Sequence, residues 1–142
     1  MKTDLVLMVQ FAGMLHFLQL PAILLAPRIL RWKDDFKQLM PINRWIFNVT
    51  AGGIVLTGFG LGLIVFFFPN QIINSVVGQM LCLFLGVFWT YRSIVHFAIY
   101  SKVWPKDKFI SRSSYWFMAC VIPLKGILYW ICFLSSAPIS LP

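Results

Sequence analysis

The chain has 142 residues, of which 60% are hydrophobic and 11% are charged, and its formal net charge is +8. Its mean hydropathy is +0.83. This number of polar residues is too small to cover the surface of a water-soluble domain. The composition therefore excludes a water-soluble protein and indicates that lipid is the solvent.

Four apolar blocks follow one another along the chain, each close to the length of about 20 residues that crosses a bilayer. They predict transmembrane helices over residues 5–26, 45–68, 76–100 and 114–135. None of the blocks alternates with a period of two, and an isolated strand would leave its backbone groups unpaired in lipid. The sequence therefore predicts an all-α membrane protein, with one domain over residues 1–142 and its four transmembrane helices in a compact bundle.

The first connection contains a segment, Arg31 to Met40, whose apolar side chains fall on one helical face and whose charged side chains fall largely on the other. Pro27 and Pro41 bracket it, and each disfavours helix through the residue before it. This pattern favours a short helix in the membrane interface, with an irregular lipid-facing loop as the alternative.

The second predicted helix is the richest in glycine, and Gly58 and Gly62 have the spacing that lets two helices approach closely. The pattern indicates a packed face, whose neighbour could lie in this chain or in another. On this basis Gly58 is expected to be a packing position.

Lys and Arg residues concentrate in two of the three connections, and such residues are retained on the cytoplasmic side. The basic residues of the first connection are Arg28, Arg31, Lys33, Lys37 and Arg44, and those of the third are Lys102, Lys106, Lys108 and Arg112. The second connection, residues 69–75, and the tail after residue 135 carry no charge. We therefore expect a multi-pass protein of the bacterial cytoplasmic (inner) membrane with both termini non-cytoplasmic, whose basic loops contact anionic lipid head groups and no nucleic acid.

Three cysteines, Cys82, Cys120 and Cys132, all fall inside predicted spans and lack the Cys-x-x-Cys spacing of a redox or metal motif. We interpret them as small apolar packing residues.

Four ionisable residues fall inside the spans, where such side chains are costly and usually functional. They are His16, Arg92, His96 and Lys125. At about 1.5 Å per residue, Arg92, His16 and Lys125 lie about 12, 15 and 16 Å from the cytoplasmic ends of their helices, and His96 about 6 Å. Gln19 lies one helical turn from His16. We take the four ionisable residues as the candidate cofactor-binding set.

No span contains a carboxylate, because all four acidic residues are aspartates in the loops or the amino-terminal tail. Three explanations for the cations remain open. Arg92 could reach lipid phosphates while Lys125 is uncharged or bonds to a carbonyl freed by Pro123. A partner subunit could supply an acid. An anionic or carbonyl-bearing ligand, such as a lipid, a quinone or a haem propionate, could also bind there.

The two histidines suggest haem as a candidate cofactor, although the sequence leaves the cofactor unknown. His16 and His96 differ in depth by about 9 Å, too much for two axial ligands of one iron in untilted helices. A site in which His16 alone is the metal ligand remains allowed, and a neutral histidine bonded to a neighbouring carbonyl or hydroxyl is the alternative.

Three short runs carry a resemblance over roughly the first half of the chain: Ala26-Pro27-Arg28-Ile29-Leu30, Asn43-Arg44-Trp45-Ile46-Phe47 and Leu56-Thr57-Gly58-Phe59-Gly60. They resemble a group of uncharacterised small four-span bacterial membrane proteins and the HemJ family of haem-dependent protoporphyrinogen oxidases. In that family a Pro-Arg pair closes the first helix and an Arg opens the second, as Pro27, Arg28 and Arg44 do here. The family's haem histidine lies earlier in the first helix than His16.

Two functions follow from these features. The first is a small accessory, assembly or structural subunit of a larger membrane complex, or a homo-oligomer. The alternative, which the resemblance implies, is a HemJ-like haem- or quinone-binding membrane oxidoreductase, with His16 as the iron ligand and Arg92 and Lys125 holding carboxylate groups.

The loop charges predict the outcome of cysteine labelling in intact cells. Cysteines introduced at Ile72 and Ser140 should react with an impermeant thiol reagent from outside, because their segments carry no retained positive charge. A cysteine at Lys106 should react only after the membrane is opened, and its labelling in intact cells would contradict the topology.

Overall fold

The computed structural model describes residues 2–105 and 108–136, and four long helices account for most of them. In chain order the helices are α1 (Lys2–Ile29), α2 (Trp32–Asp35), α3 (Pro41–Phe67), α4 (Pro69–Asn74), α5 (Val76–Val95), α6 (Ser101–Val103) and α7 (Phe109–Ser135). A 3-10 turn over Phe36–Gln38 follows α2, and a π-helical segment over His96–Tyr100 joins α5 to α6. Four helices, counting Val76–Val103 as one, are long and apolar enough to cross a membrane, as the sequence predicted.

The long helices are not packed equally against one another. The two closest pairs are α5 with α7 and α1 with α3, and the contact of α1 with α7 joins these pairs. The core lies among α1, α5 and α7, where Leu85 and Ile122 are fully covered. In the apolar stretch of α3 only 11% of the residues are buried, against 39% in that of α7. The helix α3 therefore lies at the edge of the bundle.

Two glycines allow α1 and α3 to approach closely. A Cβ added to Gly13 would lie 2.7 Å from the backbone nitrogen of Phe66, and one added to Gly62 would lie 2.9 Å from the Cβ of His16. A Cβ on Gly58 would meet nothing within 4 Å. The predicted packed face is therefore confirmed at Gly62, whereas a close contact of Gly58 with another chain stays a prediction.

The segment after α1 forms the helical turn that its amphipathic pattern favoured. The rings of Trp32 and Phe36 both pack on Phe47 of α3, with centroid distances of 4.7 and 5.0 Å. Arg44 donates to the backbone carbonyls of Leu39 and Lys37 and so holds the end of the turn. Pro27 does not end α1, which continues to Ile29 because the loss of one N–H leaves the neighbouring helical bonds intact.

The uncharged second connection is itself helical, since α4 occupies most of it. Ile72 is 4% exposed and packs in the core, so a cysteine there would be shielded from a reagent. Exposed Gln71 is the better position for the same test. Lys106 and Ser140 lie outside the described residues, and exposed Lys108 can replace Lys106.

The α1–α3 contact predicts that Gly13→Ala destabilises the chain by about 1 to 3 kcal/mol, because the new methyl group would overlap the backbone of α3. Gly58→Ala is the matched control. It should be neutral or slightly stabilising, since its space is open and alanine favours helix. Thermal unfolding in detergent measures both, and equal melting temperatures for the two variants would refute the close contact.

Candidate functional site

Three long helices, α1, α5 and α7, place side chains with polar groups next to one another in the core. We call this set the buried polar cluster; it consists of His16, Gln19, Trp89, Lys125 and Tyr129. His16 and Gln19 are three residues apart on α1, and Lys125 and Tyr129 are four apart on α7, so each pair shares a helical face. All five side chains are at most 6% exposed.

Lys125 is completely buried, so its side chain does not extend to the end of its helix. Its ammonium nitrogen donates to the amide oxygen of Gln19 on α1. The same nitrogen lies 3.2 Å from the centre of the Trp89 ring on α5, a cation–π contact. Within the described residues, the contacts of Lys125 are thus a neutral amide and an aromatic face, and a carboxylate from a partner subunit or ligand stays a hypothesis.

His16 contacts side chains of both α5 and α7. Its Nε2 lies 2.9 Å from the hydroxyl oxygen of Tyr129. Its ring centre lies 5.4 Å from that of Trp89, edge to face. Iron ligation through Nε2 would require the bond to Tyr129 to break. The role of His16 as an iron ligand stays a prediction, and no group of three or more metal-binding side chains occurs in the described part of the chain.

His96 lies in a different aromatic cluster, at the start of the π-helical segment. The ring stacks on Tyr115 of α7 at 4.7 Å and is 1% exposed. Its Nε2 has no hydrogen-bond partner in the described part of the protein. π-Helical turns are rare and occur often at functional sites. Because His16 and His96 belong to separate clusters, the structure does not bring all four predicted site residues together.

Arg92 lies between these two clusters on α5 and is half-buried. Its guanidinium carbon is 5.8 Å from the Tyr100 ring centre. The structure thus joins His16 and Lys125 in one cluster and leaves Arg92 at its border.

Sequence reasoning did not identify Trp89 or Tyr129 as site residues. Tyr129 had one signal, since it lies four residues after Lys125 on the same helix. The cysteine interpretation was also incomplete, because the sulfur atoms of Cys82 and Cys132 lie 2.9 Å apart in the core between α5 and α7. Fifty positions separate these two cysteines, so no local spacing could reveal the contact.

No protein-family model matches the chain, and no curated protein or solved structure is significantly similar to it.

The Gln19–Lys125 contact predicts a strong coupling between the two positions. Gln19→Leu should destabilise the chain by about 1 to 3 kcal/mol, because it leaves the buried amino group of Lys125 without its acceptor. Lys125→Met should cost less, since it removes the amino group and keeps an unbranched chain of similar length.

The double variant Gln19→Leu/Lys125→Met should recover at least half of the loss caused by Gln19→Leu, because neither polar group remains to be satisfied. Unfolding in detergent gives the free energies for a double-mutant cycle. Strictly additive effects would contradict the contact.

Proposed function

We propose that the chain is a small integral membrane subunit of a larger complex in the bacterial cytoplasmic membrane, with both termini outside. The polar groups of the buried cluster support a structural role, because they bind one another. Lys125 contacts Gln19 of α1 and Trp89 of α5, and His16 bonds to Tyr129 of α7. Such a network fixes the three helices relative to one another and leaves α3 to make contacts outside the chain.

The observation that carries the proposal is the outward face of α3. This face carries the small residues Gly53, Thr57 and Gly60, which are four and three positions apart. Cβ atoms added to the two glycines would meet nothing within 4 Å. A glycine inside a helix is about 1 kcal/mol less favourable than alanine, so glycines there need a compensating contact. Small residues at this spacing let another membrane helix approach closely. A helix of another subunit would provide that contact.

The proposal predicts that Gly60→Leu releases a partner while the chain stays folded. Affinity purification from native membranes in mild detergent should recover a partner subunit with the parent chain, and about tenfold less of it with Gly60→Leu, since a large side chain blocks close approach. Thermal unfolding of the isolated chain should not change, because the position is open within the chain. Ala98→Leu is the control, because it places the same side chain at an exposed position of the π-helical segment, away from α3.

Equal recovery of the same components with the parent chain and Gly60→Leu would refute the proposed face. Recovery of a second copy alone would replace the hetero-complex by a homo-oligomer. A Soret band in the purified chain that is lost in His16→Ala would instead favour the HemJ-like oxidoreductase.

A further inference from the structure

The structure contains a groove of about 1030 Å³. The end of α1 and the start of α2 form one wall, and the end of α6 and the start of α7 form the other. We propose that this groove binds the phosphate-bearing head group of an anionic phospholipid. The site is separate from the buried polar cluster and from the outward face of α3, so it does not depend on the proposed function.

The charge of the groove favours an anion. Arg28, Arg31 and Lys108 line it, with Asp35 as the acidic residue among the lining side chains. The three basic residues come from two parts of the chain about 80 residues apart, so the fold and not a local run of sequence brings them together. Arginine side chains bind phosphate oxygens in a two-pronged geometry, and basic pockets between membrane helices are suited to phospholipid head groups.

The apolar walls of the groove favour a ligand that carries an acyl chain. Leu25 and Ile29 of α1 stand on one side, and Val103 and Ile110 stand on the other. Val103 and Ile110 are 68% and 64% exposed, so the walls continue onto the outer surface of the helices. A free phosphate would use the basic residues alone, whereas a phospholipid would use both the basic residues and the apolar walls.

The backbone at Arg31 is an independent sign that this side chain is needed. Arg31 has φ 53° and ψ 36°, and it is the non-glycine residue with a positive φ in residues 2–105 and 108–136. Glycine takes this left-handed conformation without steric cost and is the usual residue after a helix end. Non-glycine residues in strained backbone conformations cluster at functional sites, so the conformation of Arg31 supports a role for its guanidinium group.

The opposite side of the groove is fixed by hydrogen bonds. The indole N–H of Trp104 donates to the carbonyl of Ser111 at 3.0 Å, and the Ser111 hydroxyl donates to the carbonyl of Pro105. These bonds tie Trp104 and Pro105 to Ser111 at the start of α7.

Arg31→Gly separates lipid binding from folding. The full chain is purified in mild detergent, mixed with phosphatidylglycerol or with phosphatidylcholine, and measured by native mass spectrometry for retained lipid. The parent should retain phosphatidylglycerol in preference to phosphatidylcholine. Arg31→Gly should retain about fivefold less phosphatidylglycerol, as expected for one basic residue at an anionic surface. Its melting temperature without added lipid should be equal to or higher than that of the parent, because glycine relieves the left-handed backbone.

Lys37→Gln is the matched charge control, since Lys37 carries the same charge, lies on the same connection and pairs with Asp34 away from the groove. It should retain lipid as the parent does. A third arm replaces the lipid by glycerol phosphate. Retention of glycerol phosphate equal to that of phosphatidylglycerol would overturn the lipid assignment in favour of a soluble phosphate compound. Equal retention of both lipids by the parent, or an equal loss in Arg31→Gly and Lys37→Gln, would overturn the proposed groove site.

Discussion

The burial of the Lys125 amino group is the constraint on which the rest of the core depends. Moving such a polar group out of water is costly unless its hydrogen bonds are replaced inside the protein. In this chain the group is fully covered, and the compensation within the described residues comes from the oxygen of Gln19 and the face of Trp89. Because these two partners belong to α1 and α5, the lysine of α7 can be satisfied only when three helices have come together. The cluster thus couples local helix formation to one specific assembly.

This coupling also accounts for the difference between α3 and the other long helices. α3 contributes no side chain to the buried polar cluster, and its main contact is the close approach at Gly13 and Gly62. The contact is apolar and depends on shape. A helix held in this way can have most of its circumference outside the core, which agrees with the small buried share of α3.

The number and the positions of the long helices could be predicted from the sequence because each is a local property of about 20 apolar residues. The partner of Lys125 could not, because Gln19 is 106 positions away and a neutral amide gives no charge signal. Gly58 and Gly62 show the same limit. They lie one turn apart on the same side of α3, and the level at which α1 crosses α3 decides which of them is in contact. The helical α4 was missed because six residues are too few to show a period.

The groove residues illustrate a third kind of limit. The positive charge of the two basic connections was evident from the sequence, but their convergence at one groove requires the ends of α1 and α7 to lie side by side. Arg31 carried no sequence signal of its left-handed backbone, since any residue type other than glycine would be expected to avoid it.

The π-helical segment determines in which direction around the helix axis the later side chains of the same span point. A π turn holds about one residue more than an α turn, and one residue in an α-helix corresponds to a rotation of about 100°. With an ordinary α-helix over residues 96–100, Val103 would leave the wall of the groove while Arg92 stayed in place. The π-helical segment therefore lets two parts of one span face different sites. The part before His96 faces the buried polar cluster, and the part after it faces the groove.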